Sequence, residues 1–228
     1  MRKLFKPERI QLKNHPEISE KVIQEKIADD PSILGLGNLV LKDEERMQPR
    51  AGRLDLLLQD PDSDTNRRYE VEIQLGKTDE SHIIRTIEYW DIEKKRYPQY
   101  DHCAVIIAED ITSRFLNVIS LFNGFIPLIA IQMNAYKFGD DIALVFTKVL
   151  DEMPLGLVDD DEGAKEETNR EYWLNRATES TVKMADQILD IIESFKPGYS
   201  LKYNKMYIGL SKEGKPTLFA LLRPKKNF

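Results

Sequence analysis

The chain has 228 residues, 41% of them hydrophobic and 32% charged, with a formal net charge of −6. That length allows one large domain, or a domain with an appendage, whose core needs no covalent staples. The single cysteine, Cys103, excludes an intrachain disulfide framework and a cysteine-rich zinc site. With no apolar run near 18 residues and no signal-peptide pattern at the N-terminus, a cytoplasmic protein with no membrane partner is the expectation.

Residues 17–28, EISEKVIQEKIA, repeat Ile18, Val22, Ile23 and Ile27 at helical spacing and predict an amphipathic helix ended by Pro31. A strand over 38–46 turns polar. Residues 52–59, GRLDLLLQ, form an apolar run broken by Asp55. The turn-rich DPDSDTN then closes a hairpin onto RRYEVEIQL, where Glu70, Glu72 and Gln74 alternate with Tyr69, Val71, Ile73 and Leu75. A long helix over roughly 79–96 follows, capped by Asp79 or Ser81 and stopped before Pro98. HCAVIIAE predicts a buried strand, DITSRFLNVISLFNG a helix, and IPLIAIQMNAYKF and IALVFTKVL two more strands. An acidic stretch then marks a linker over 156–168, dividing a domain at 1–155 from an appendage at 169–228. That appendage reads as one helical region over about 168–195 and the strand-like runs SLKYNKMYIGLS and PTLFALLRP.

The net acidic charge argues mildly against indiscriminate nucleic-acid binding, yet basic residues gather at Arg50 and Arg53, at Arg67 and Arg68, at Lys94 to Arg96 and at Arg223 to Lys226. Asp55 inside an apolar strand is costly unless paired, hydrogen-bonded or bound to a cation. A hairpin brings it beside the carboxylates of the next strand, and carboxylates without Cys or His partners suit Mg²⁺ or Mn²⁺. On the following helix His82, Arg85, Thr86 and Tyr89 share one face. Gly76-Lys77-Thr78 lacks the upstream glycine of a P-loop, since Val71 holds that position.

The residues Gly52-Arg-Leu-Asp55 and Glu72-Ile-Gln74, in this order of elements, resemble the PD-(D/E)XK phosphodiesterase superfamily, and Arg85-x-x-x-Tyr89 resembles an element of its RecB-like members. The resemblance covers roughly residues 17–149. It implies an α/β, restriction-endonuclease-like αβββαβ core with a mixed central sheet, to which a small C-terminal α+β appendage is added. It implies metal-dependent hydrolysis of nucleic-acid phosphodiesters, with Asp55, Glu72 and Gln74 as catalytic residues. Asp55, Glu72, Glu70 and, on the first helix, Glu25 are the metal candidates. Arg85, Tyr89, His82 and Lys77 are the expected nucleic-acid contacts, and DNA is the first choice of partner, with a homodimer left open. Gln74 departs from the family's lysine, and the register leaves Glu70-x-Glu72 as an alternative to Glu72-x-Gln74. The tail is similar to the start of an uncharacterised domain fused behind such nucleases. The rival reading is a catalytically silent binding or interaction module on the same fold.

Overall fold

Alternating and continuous apolar runs dictate which strands lie at the centre of this protein. The structure, a computed structural model, describes residues 6–63, 65–153, 168–212 and 214–226. A short strand β1 (Glu8–Ile10), which the sequence did not announce, precedes helix α1 (Glu20–Asp29). Strands β2 (Val40–Gln48), β3 (Gly52–Gln59) and β4 (Arg68–Lys77) follow, then helix α2 (Glu80–Arg96) and strand β5 (His102–Asp110). This is the expected order of one helix, three strands, one helix and one strand. Helix α3 (Ser113–Phe122) and strands β6 (Leu128–Phe138) and β7 (Asp141–Leu150) complete a seven-stranded mixed sheet ordered β1-β6-β5-β4-β3-β2, with β7 also on β6. The pairs β2/β3 and β3/β4 are antiparallel, whereas β4/β5 and β5/β6 are parallel.

Both faces of the sheet are covered, which is why Cys103 to Ala108 of β5 read as an unbroken apolar run. Ile23 and Ile27 of α1 pack on Leu56, Val71, Val105 and Ile107. On the other face Ile83 and Trp90 of α2 and Ile119 of α3 pack on Ala104 and Ile106. Asp79 caps α2 by accepting the His82 N–H at 2.9 Å, and the helix ends at Tyr97, before Pro98. Helix α1 is turned slightly from the expected stripe: Ile23, Gln24 and Ile27 are its buried residues, and Val22 is exposed.

The expected acidic linker lies outside the described residues except for Thr168. The single helical region expected after it is two helices, α4 (Arg170–Arg176) and α5 (Glu179–Phe195). They part at Thr178, whose side chain closes a capping box with Thr181. Strands β8 (Tyr199–Tyr203), β9 (Ile208–Lys212) and β10 (Lys215–Leu222) form a separate three-stranded antiparallel sheet. The run SLKYNKMYIGLS is therefore a hairpin of its own. Asn204 Oδ1 accepts the N–H groups of Met206 and Tyr207 at 3.1 and 2.9 Å and so closes the turn. Tyr172, Trp173, Val182 and Ile208 fill this unit's core. Ion pairs Lys215–Asp30 (2.6 Å) and Lys202–Asp62 (3.2 Å) connect it to the first sheet. No helix among the described residues is long and apolar enough to cross a membrane.

Candidate functional site

The ladder between β3 and β4 runs from Gln59↔Arg68 to Leu56↔Val71 and stops there. The next residues are Asp55 and Glu72, and side chains take over the backbone groups that the ladder releases. The Asp55 N–H donates to Glu72 Oε1 at 3.2 Å, and the Ile73 N–H donates to Asp55 Oδ2 at 2.7 Å. Helix α1 supplies the rest: Gln24 Nε2 donates to the Asp55 carbonyl at 2.9 Å, and the Leu75 N–H donates to Glu20 Oε1 at 3.0 Å. A buried backbone group without a partner costs about 1–3 kcal/mol, so these four side chains stabilise the parting of the strands.

That parting holds two carboxylates close together in a poorly hydrated place. Burial first, and then the charge of Asp55, push Glu72 up to about 8, with Arg85 opposing the rise. Burial also pushes Asp55 up, to about 6, against the Ile73 N–H bond that favours its charged form; Glu20 and Glu45 add repulsion. Arg85 of α2 donates from Nε to Glu72 Oε2 at 3.2 Å, and its side chain is 40% exposed where that of Glu72 is 2% exposed. The pair is thus primed to take up a proton or a cation.

Glu20 and Glu45 are the residues that sequence reasoning missed. Glu45 lies between Glu44↔Leu56 and Arg46↔Leu54 of the β2–β3 ladder, which puts it across from Asp55. Its backbone is left-handed, with φ 50°, unusual for a residue that is not glycine. It forms ion pairs with Lys21 (3.7 Å) and Arg53 (3.2 Å). The signal for Glu20 was present in its spacing: with Gln24 it forms an i, i+4 polar pair beside the buried Ile23 and Ile27.

Several expected site residues lie elsewhere. Glu25 faces away, against Val22, Lys26 and Ile142, because α1 buries its Ile23–Gln24–Ile27 side instead. Glu70 is fully buried one step deeper in the sheet, opposite Leu57, and its Oε1 accepts from His102 Nδ1 at 2.7 Å. His102 Nε2 lies 3.0 Å from the Tyr97 carbonyl; burial pushes Glu70 up, and Glu70 raises His102 against the effect of burial, so the two share a proton in the interior. Glu70 is therefore engaged in an internal hydrogen-bonded pair, and Glu72 is the carboxylate of this strand that meets Asp55.

His82 and Tyr89 are interior residues and offer no surface to nucleic acid. Nothing of His82 is exposed; it lies within reach of the Glu72 carbonyl at 3.3 Å, and burial pushes it down to about 4, which keeps it neutral. The Tyr89 hydroxyl donates to the Ala51 carbonyl at 3.4 Å and fills the space above Gly52. A Cβ at Gly52, where φ is 143°, would come within 2.4 Å of that hydroxyl, so glycine is required at the entry to the Asp55 strand. Tyr89 thereby supports β3 from behind. Gln74 Nε2 donates to the Lys77 carbonyl at 2.6 Å and to Asp79 Oδ2 at 3.2 Å, bracing the β4–α2 turn. No side-chain hydrogen bond joins Gln74 to Asp55 or Glu72 among the described residues. Lys77 is exposed beyond the end of this turn.

The donor set suits a hard cation in a limited way. Among the described residues no three acidic, histidine or cysteine side chains gather closely enough to hold a metal ion by themselves. Asp55 and Glu72 are two carboxylates, and Mg²⁺ characteristically binds through one or two such groups while keeping waters.

No protein-family description matches the chain, and no curated protein matches it. Two solved structures are similar over part of it. One is a complex of EndoMS with double-stranded DNA (TM-score 0.40, 16% identity, 45% of this chain and 41% of that one). The other is a repair endonuclease from Pyrococcus abyssi (TM-score 0.39, 19% identity, 47% of this chain and 45% of that one). The matched region spans less than half of either structure. At these scores the likeness carries no weight for activity, and the mixed α/β fold rests on the element order and sheet topology described above.

Proposed function

We propose that the chain is a nuclease of the PD-(D/E)XK kind that hydrolyses nucleic-acid phosphodiesters, DNA foremost, with Mg²⁺ or Mn²⁺ held by Asp55 and Glu72. The observation that carries this reading is the buried Asp55–Glu72 pair at the parting of β3 and β4, where burial raises both carboxyls and the charge of Asp55 raises Glu72 further, so that the pair needs a positive partner. A cation bound there would acidify a water and stabilise charge on the phosphate. Arg85 supplies the fixed positive charge that the family's lysine would provide and Gln74 does not. Its Nε holds Glu72, and its terminal nitrogens make no hydrogen bond among the described residues, leaving them to face phosphate oxygens. Glu20 and Gln24 keep the Asp55 strand end in place.

The test is cleavage of labelled duplex and single-stranded DNA and RNA with Mg²⁺, Mn²⁺ or chelator. Cleavage that needs the metal and disappears in Asp55→Ala supports the reading; equal cleavage by wild type and Asp55→Ala removes it. A second reading, a silent binding module, is favoured by one specific observation: Arg85 already occupies one oxygen of Glu72, and Gln74 is committed to the turn. Nucleic-acid binding with no cleavage under any metal would establish that reading instead.

A further inference from the structure

Past Gln74, the carboxyl ends of the parallel strands β4 and β5 open into a cavity of about 470 Å³. Its cationic lining comes from two separate parts of the chain: Arg9 and Lys13 from the N-terminal segment, and Lys77 from the end of β4. Glu109 and Asp110 contribute its carboxylates.

A buried carboxylate holds the two segments that carry these cations together. The Glu109 carboxylate, at the end of β5, accepts the N–H groups of Leu12 (2.6 Å), Lys13 (3.0 Å) and Gly76 (2.6 Å). It thereby ties the N-terminal segment to the end of β4, and its charge is spread over three donors. The stem of Lys13 then crosses Gly76, where a Cβ would come within 2.5 Å of Lys13 Cδ and φ is 81°. Neither Lys13 nor Lys77 has an ion-pair partner among the described residues, and Arg9 donates only to the Glu109 carbonyl, at 3.3 Å. Against Asp110 and a Glu109 carboxylate already engaged by three N–H groups, Arg9, Lys13 and Lys77 leave the concavity with an excess of positive charge in a chain of net charge −6, which favours an anionic ligand.

The position of the cavity specifies that ligand. Lys77 lies five residues along β4 from Glu72, at most about 16 Å at the ordinary strand rise and less where the strand is irregular between Gln74 and Lys77. That is at most about five nucleotide rises of 3.4 Å. We propose that this cavity binds a backbone phosphate of the nucleic-acid strand, within about five nucleotides of the phosphate presented to Asp55 and Glu72. The inference rests on the nucleic-acid reading given above and adds Arg9 and Lys13 to the contact surface.

The test needs no cleavage. Binding of a fluorescent 20-mer duplex is measured by anisotropy without divalent metal over a series of salt concentrations. The proteins are wild type, Lys77→Gln, the double variant Arg9→Gln/Lys13→Gln, and Lys196→Gln as a remote charge control. Loss of one phosphate contact lowers the slope of log K against log salt by about 0.9. The double variant is expected to lose between one and two such units and to bind at least tenfold more weakly at moderate salt, while Lys196→Gln keeps the wild-type slope. Wild-type slopes in both cavity variants, or an equal loss in Lys196→Gln, would overturn the inference and leave the nuclease reading standing. Wild type that binds no nucleic acid at low salt would overturn both.

Discussion

Replacing Glu72 with glutamine separates the electrostatic cost of the site from its shape. The amide keeps the Oε1 acceptor for the Asp55 N–H and nearly the same volume, and removes the charge. Carrying a buried carboxyl from 4.5 to about 8 withholds roughly 4 kcal/mol from the folded state at pH 8. Asp55 shares in that shift, and the variant gives up the Arg85 ion pair, so about half, ~2 kcal/mol, is the expected net gain. For a chain of this size ~2 kcal/mol corresponds to roughly 4–8 °C in Tm. The sign follows from proton uptake: between pH 4.5 and about 8 the folded protein holds more protons at Glu72 than the unfolded chain does. Stability contributed by the protonated group is fully present below that window and is lost as pH rises through it. Thermal melts in chelator at pH 5, 6, 7 and 8 are the assay. Wild type should fall progressively across this range, and Glu72→Gln should fall less and be the more stable protein at pH 8. Saturating Mg²⁺ should raise the wild-type Tm at pH 8 by more than it raises that of the variant. Parallel pH profiles for the two proteins would refute the argument that Glu72 carries unrelieved charge.

The internal Glu70–His102 pair predicts that His102 titrates above its ordinary 6.5, driven by Glu70 against the effect of burial, while His82 remains neutral down to about 4. Two-dimensional NMR of the imidazole nitrogens reads both; the His102 contribution to stability should be full below pH 6.5 and lost as pH rises through the folded value. In Gly52→Ala the new methyl meets the Tyr89 hydroxyl and the backbone is strained, at a cost of about 2–4 kcal/mol in urea melts. Tyr89→Phe, which loses only a 3.4 Å hydrogen bond, should cost under ~1 kcal/mol, and the double variant should recover about 1 kcal/mol as a coupling term; simple additivity would contradict the clash. Glu20→Gln retains an acceptor for the Leu75 N–H, so its Tm at pH 5 should match wild type, whereas Glu20→Ala should cost about 1 kcal/mol.

The strands around the site were legible because a period-two alternation leaves few registers, and a turn-rich DPDSDTN between two such runs forces an antiparallel pair. Asp55 stood out because a carboxylate in GRLDLLLQ has no cheap solution. What the sequence could not convey was rotation. Helical spacing showed that His82, Arg85 and Tyr89 share a side of α2, but not that this side lies on the sheet, leaving only Arg85 long enough to reach solvent. The same ambiguity substituted Glu25 for Glu20: a one-position turn of α1 buries Gln24 and exposes Val22. Glu70 and Glu72 alternate on the same side of β4, and only the length of the β3–β4 ladder separates them. It ends at Leu56↔Val71, so Glu72 lies at the opening and Glu70 under the sheet. Asn204 shows a missed local signal, since its side chain closes a turn that the apolar run around it concealed.

The central claim is that Asp55 and Glu72 together form a divalent-cation site. Titration of the protein with Mn²⁺ at pH 8, with free ion followed by its electron paramagnetic resonance signal, tests it most directly. Wild type should take up Mn²⁺ in a saturable step that weakens at least tenfold in Asp55→Asn and in Glu72→Gln, and that Mg²⁺ displaces. Uptake unchanged in both variants, or none by wild type, would contradict the account.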